Sequence, residues 1–221
     1  QIRDDGKPKT AIEFHHQYVR PLGVEQVHRK TEIILTEDEK REARNYLSWQ
    51  DVDCTKPIVG LHPGASWPAK MWQWENFADL ADLVRAKLNA QVAITQGPAD
   101  SGLVEKISNR SVGNLFTVPL MQLRQLAAII SQFNVYVSND AGPMHIGPAV
   151  GTKTVGIFGP GEDQIWFPYD PADGHVALRR NVPCHPCHLD FCDRPGETFM
   201  ECMKLLDVKD VLAEVEKRLG V

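Results

Sequence analysis

No apolar run in these 221 residues approaches the roughly 20 needed to span a bilayer, and no secretory hydrophobic segment opens the chain. A helical membrane span is thereby excluded, and a cytoplasmic location is the expectation. Basic residues are not in excess: 24 Lys and Arg stand against 29 Asp and Glu, a net charge of −5. That balance argues against a nucleic-acid partner held by broad phosphate neutralisation, while leaving room for one local basic pocket. Repeats and low-complexity stretches are missing. So is an early G-x-G-x-x-G followed by a ribose-binding acid, which makes an NAD-dependent oxidoreductase the least favoured class. Cysteine is sparse. There are five, and four of them fall within residues 184–202. The chain begins with Gln1 in a polar stretch and not with Met, the expected look of a fragment or a processed chain.

What is present is ordinary for a globular protein, with 43% hydrophobic and 24% charged residues. The length fits one α/β domain with an added tail. Residues 1–10 read as loop, 11–26 as a short helix ending at Gly23, and Glu37–Ser48 as a charge-laced helix with Thr36 as N-cap. Regular alternation begins after Pro57. Strands are expected over 58–62, 91–95, 115–118, 133–138 and 152–158. Helices are expected over 75–88, 99–108, 123–131, 143–150 and 201–219. Phe77, Leu80, Ala81, Val84 and Leu88 share one helical face. Such alternation predicts a Rossmann-like parallel sheet with helices on both faces, with ligands bound beyond the carboxyl ends of its strands. We divide the chain into 1–56, a remnant with a linker helix, and 57–221, the regular domain.

The loops at those strand ends carry the chemistry. After the first strand comes HPGASWPAK, where Pro63-Gly64 turns the chain and Gly64 would admit a ligand close to the backbone. Ala65 and Ser66 offer amides and a hydroxyl. Lys70 offers a mobile cation near a helix start, the parts of a diphosphate cradle, with a solvated loop lysine as the equal alternative. Trp67, Trp72 and Trp74 read as hydrophobic plugs. After the fourth strand, Asp140, Ala141, Gly142 and His145 surround a helix start. Asp140 suits a helix cap. Gly142 allows either unusual dihedrals or a diphosphate against the backbone, and His145 either donates to phosphate oxygens or is satisfied by a neighbouring carbonyl, the grouping with Asp140 and Gly142 favouring the anion. Gly97 and Met121 follow the second and third strands, where a base and ribose would lie. The run 184–202 interleaves Cys184, Cys187, Cys192 and Cys202 with His185 and His188. In number the four thiols suit a structural zinc acting as a staple, although their spacing is not that of a common ribbon, and loop packing is the alternative.

Together, HPGA…K followed by Trp, SNDAGPMHIGPAVGTKTVGIFGP and CHPC…C…C before a final helix resemble the family-nine glycosyltransferases, whose best-known members are lipopolysaccharide heptosyltransferases. The likeness covers about residues 57–219, and FHHQYVRPLGV resembles the end of that family's amino-terminal domain. The resemblance implies the carboxy-terminal half of a GT-B enzyme that holds a nucleotide sugar, usually ADP-heptose. It places Lys70, Ala65 and Ser66 on the diphosphate, Asp140, Ala141, Gly142 and His145 around the sugar-diphosphate, and Met121 near adenine. It further implies inverting transfer to a lipopolysaccharide core acceptor bound by a missing half, peripheral association with the inner membrane, and no cofactor required for catalysis. No DxD metal motif stands in the donor loops, in keeping with that. Another GT-B nucleotide-sugar enzyme, such as an epimerase, or a stand-alone nucleotide-sugar-binding module are the alternatives.

Overall fold

The computed structural model describes residues 10–25 and 30–221. The loop expected over 1–10 lies almost wholly outside the described residues. Strands β1 (Ile58–His62), β2 (Gln91–Ile94), β3 (Phe116–Thr117), β4 (Val135–Asn139), β5 (Lys153–Ile157) and β6 (Val176–Leu178) form a sheet in the order β3-β2-β1-β4-β5-β6. Every pairing is parallel. Helices are α1 (Ala11–Val19), α2 (Glu37–Trp49), α3 (Trp74–Leu88), α4 (Ser101–Arg110), α5 (Leu123–Ile130), α6 (Ile146–Ala149), α7 (Asp163–Trp166), α8 (Glu201–Lys204) and α9 (Val208–Leu219). Among the described residues no helix is long and apolar enough to cross a membrane.

Strand periodicity sorts the core into two layers. Val59, Leu61, Val135 and Val137 face α3, α4 and α9, where Phe77, Leu80, Val84, Ile107, Val211 and Val215 are buried. Ile58, Ala93 and Tyr136 face the opposite way, against α5 and Leu47 of α2. The expected Rossmann-like architecture is therefore present. Thr36 caps α2 through a reciprocal capping box with Glu39, as the Thr-x-x-Glu spacing leads one to expect. Glu39 also pairs with Arg124 of α5, and the Tyr46 ring lies tilted against Phe116 at 6.3 Å, so this helix packs onto the domain.

Three expectations need correction. The helix over 143–150 is a 3-10 turn, Gly142–His145, that runs into the single turn of α6. Pro148 explains the shortening, because it removes an amide that a longer helix would need. The helix over 201–219 is broken at Leu205–Asp207, where Asp207 starts α9 with its own capping box. The edge strand β6 was not anticipated. Its three residues are only half-buried, so they lack the apolar run that marks the central strands.

One buried titratable group lies inside the sheet layer. His62 is 3% exposed, its Nδ1 is 3.0 Å from Thr95 Oγ1, and that hydroxyl is 2.8 Å from the Tyr136 hydroxyl. Burial pushes the His62 imidazole down to about 4. Unfolded, it protonates near 6.5. Above pH 6.5 both states are neutral and stability is unaffected. As pH falls from 6.5 to 4 only the unfolded chain takes up the proton, so stability declines by up to about 3 kcal/mol. Urea denaturation at neutral pH and near pH 4.5 should show that decline in the wild type and a smaller one in His62→Gln. An equal decline in both would refute the assignment.

Candidate functional site

The strand order reverses direction between β1 and β4, and their register pairs His62 with Ser138. Loops leaving these two strands therefore diverge from one point, the crevice where open parallel sheets bind ligands. Asn139 holds the crevice together. Its Nδ2 donates to Pro63 O (2.7 Å), and its Oδ1 accepts from Trp72 N (3.1 Å). Both ends of the 63–72 loop are thus tied to the end of β4. Trp72 is 1% exposed, donates from Nε1 to Leu206 O (2.9 Å) and packs edge to face on Phe77. Its reading as a plug is right.

The clamped loop carries Lys70 on a 3-10 turn, Pro68–Lys70. Lys70 Nζ lies 2.7 Å from Asp140 Oδ2, with the side chains only 15% and 6% exposed. The lysine is consequently fixed and not mobile. Trp67 lies beneath the ammonium at 4.4 Å from its ring centre, which adds a cation–π contact. Trp67 is thus more than a plug. Asp140 does not cap the following turn: Ala141 is the N-cap, and no side chain bonds the turn's amides. The carboxylate is turned toward Lys70 instead. Gly161, after β5, closes the same corner, since a Cβ there would come within 2.9 Å of Asp140 Oδ2.

His145 ends the 3-10 turn. Met144 anchors that turn by burying itself with Phe158 and Phe167. Burial is the main influence lowering the His145 pKa, with Asp140 opposing and Lys70 reinforcing it. The lysine and the carboxylate thus both act electrostatically on the imidazole. Gly142 has no positive φ, and a Cβ there would meet nothing within 4 Å. Of its two proposed uses, unusual dihedrals fall away and open space beside the backbone remains. Gly64 is corrected too. A Cβ there would strike the Asp100 carboxylate at 2.1 Å, so the glycine accommodates a neighbouring loop and not a ligand. That same carboxylate accepts from Gly97 N (2.7 Å). Ala65 is half-buried and Ser66 exposed on the loop before Lys70. Met121 stands apart, in a groove between α2 and α5 with a volume of about 640 Å3 whose walls include Tyr46, Trp49 and Arg124.

The cysteine loop braces this site from outside. Asp190 O accepts from Ala69 N (2.9 Å), and Pro160 O accepts from His188 N (3.2 Å). Cys184, Cys187, Cys192 and Cys202 line one cavity of about 30 Å3 together with Ala69 and Pro160. Cys192 Sγ accepts from Met200 N, and Cys202 is pushed up to about 11, first by burial and then by the other three thiols. The thiols converge. Even so, among the described residues no three His, Cys, Asp or Glu side chains are gathered as a set able to hold a metal ion. The zinc staple expected at these four cysteines thus has no preformed ligand set among the described residues, and their loop is packed against Ala69 and Pro160.

A family model described as Glycosyltransferase family 9 (heptosyltransferase) matches residues 9–193. Lipooligosaccharide heptosyltransferase 2 of Campylobacter jejuni subsp. jejuni serotype O:6 is 30% identical over 169 residues, which is 73% of this chain and 51% of that protein. A glycosyl transferase family 9 structure from Veillonella parvula superposes with a TM-score of 0.81 at 23% identity, covering 99% of this chain and 62% of that one. The E. coli ADP-heptose LPS heptosyltransferase II gives 0.69 at 22% identity, covering 86% and 53%. These two likenesses show the fold. The chain spans about half the length of the curated relatives it matches.

Proposed function

Since the chain belongs to glycosyltransferase family 9, we propose that it forms the donor-binding half of an inverting transferase that moves heptose from ADP-heptose onto a lipopolysaccharide core acceptor. One observation carries the proposal: a buried Lys70–Asp140 pair beside His145, set where β1 and β4 diverge. A fixed cation and an imidazole at such a crevice suit a diphosphate, and open space lies beside Gly142.

In the reaction, an acceptor hydroxyl loses its proton to a carboxylate outside this chain and attacks the anomeric carbon. The bond from that carbon to the diphosphate oxygen breaks, and the nucleoside diphosphate departs with the electron pair. Lys70 neutralises the charge that develops on the leaving oxygen, in the place a divalent ion takes in other transferases. Asp140 holds Lys70 at its station, and His145 donates a hydrogen bond. Macrodipoles add little here, because the 3-10 turn and α6 are four residues each. Residues 57–221 constitute the donor domain, with Met121 beside adenine. The acceptor surface and the general base belong to the other half of the enzyme, so this chain alone binds donor without transferring it. A lipopolysaccharide acceptor goes with a cytoplasmic enzyme peripheral to the inner membrane.

A thermal-shift screen against ADP, UDP, GDP and CMP sugars tests this reading. A ligand at about 100 times its Kd stabilises by about 2.7 kcal/mol, or roughly 5–11 °C for a domain of this size. ADP-heptose should give that shift and the others little. A preference for a different nucleotide would overturn the donor assignment, and no shift with any of them would overturn the site.

A further inference from the structure

Tyr169 lies outside every motif discussed so far. It follows α7 in the segment FPYD, and its hydroxyl is 2.7 Å from His145 Nδ1. Its ring is locked by edge-to-face packing on Phe167 (5.0 Å, 87°), which packs in turn on Phe158 (5.9 Å, 80°). The other flank of the ring meets His175 at 5.7 Å. The phenol is therefore held in place by the aromatic cluster beneath it, and its aim at His145 does not depend on a ligand.

We infer that Tyr169 is a positioning residue: its O–H donates to His145 Nδ1 and so fixes the imidazole as the Nε2–H tautomer, presenting a hydrogen-bond donor to the anionic donor substrate. One proton lies between the two atoms, and the alternatives are unequal. A phenol is the better donor and an imidazole nitrogen the better acceptor, so O–H···N is preferred over N–H···O. Burial raises the Tyr169 pKa and lowers that of His145, which keeps both partners neutral and preserves that preference.

Among the described residues no hydrogen bond is made to His145 Nε2, and Lys70 and Asp140 are the charges acting on the ring. In the opposite tautomer Nε2 would carry a bare lone pair, which repels phosphate oxygens. With Tyr169 in place, His145 donates while neutral, and anion binding does not require it to be protonated. The ligand half of this inference rests on the donor-site reading given above; the tautomer half does not.

Nitrogen-15 NMR of the intact chain with labelled imidazoles, assigned through His145→Gln, is the test. The wild type should show His145 with an unprotonated Nδ1 and a protonated Nε2, and Tyr169→Phe should bring its two nitrogen shifts together as the tautomers mix. A wild-type Nδ1–H signal, or no change in Tyr169→Phe, overturns the inference. ADP titration adds a second readout. Tyr169→Phe should weaken ADP binding about twofold, the cost of a half-populated donor tautomer, in the wild-type background and not at all in a His145→Ala background. Equal weakening in both backgrounds would mean that Tyr169 acts structurally and not through His145. If the wild type binds no ADP, the donor-site reading fails by itself, and the NMR result still decides the tautomer.

Discussion

Lys70→Ala is expected to abolish useful donor binding and to destabilise the fold at the same time. The substitution leaves the Asp140 carboxylate, 6% exposed on its side chain, as a buried charge without its counter-ion. Removing one partner of a buried pair costs about 3–5 kcal/mol, most of it the penalty on the charge left behind. Donor affinity falls for a separate reason, the loss of a fixed cation at the crevice, and a charge-assisted contact of this kind is worth roughly a hundredfold in Kd. The two effects are separable. Lys70→Ala combined with Asp140→Asn removes the orphaned charge, so urea denaturation should recover most of the lost stability while calorimetry with ADP-heptose shows no recovery of affinity. Stability that is unchanged in the single variant, or affinity that returns in the double, would show that the pair is not the centre of the site.

Trp72→Ala is the second large effect, and it reaches the site through packing. The indole fills the junction of the 63–72 loop, α3 and the segment before α9, with its Nε1–H on Leu206 O. Truncating a buried aromatic of this size costs about 3–5 kcal/mol, partly through the cavity left behind. For a domain of this size that lowers Tm by roughly 6–20 °C. Trp72 N is also one end of the Asn139 clamp, two residues from Lys70, so donor affinity should fall with stability. Trp72→Phe keeps most of the packing and orphans only the Leu206 carbonyl, at about 1–3 kcal/mol. A Trp72→Ala chain with native Tm would contradict the packing account, and one with lowered Tm but full affinity would separate the plug from the site.

Much of this architecture is legible in the chain because local and tertiary demands agree there. IVGLH and the apolar core of FNVYVS are buried runs bounded by turn residues, and both became central strands. Thr36 with Glu39 announces the start of α2 by side-chain chemistry alone. Asp207 with Asp210 offers a comparable box, and the apolar Leu205-Leu206 before it hides the break it marks. The site divides in the same way. Asp140, Gly142 and His145 are close in sequence and could be grouped by spacing. Lys70 meets Asp140 across 70 positions, and only a family likeness brings them together before the fold is seen. Gly64 and Asp140 show the limit of local rules: the glycine makes room for Asp100 and the aspartate serves Lys70, partners set by how loops from different strands converge. Tyr169 leaves no periodic trace, since its role depends on the ring stack beneath it.

The central claim is that the crevice between β1 and β4 holds a pyrophosphate, and a crystal of this chain soaked with ADP-heptose tests it most directly. The phosphate oxygens should lie about 2.7–3.2 Å from Lys70 Nζ, from His145 Nε2 and from the amides of residues 141–142. A pyrophosphate bound elsewhere, for example in the groove beside Met121, or a crevice without ligand at saturating dose, would contradict it.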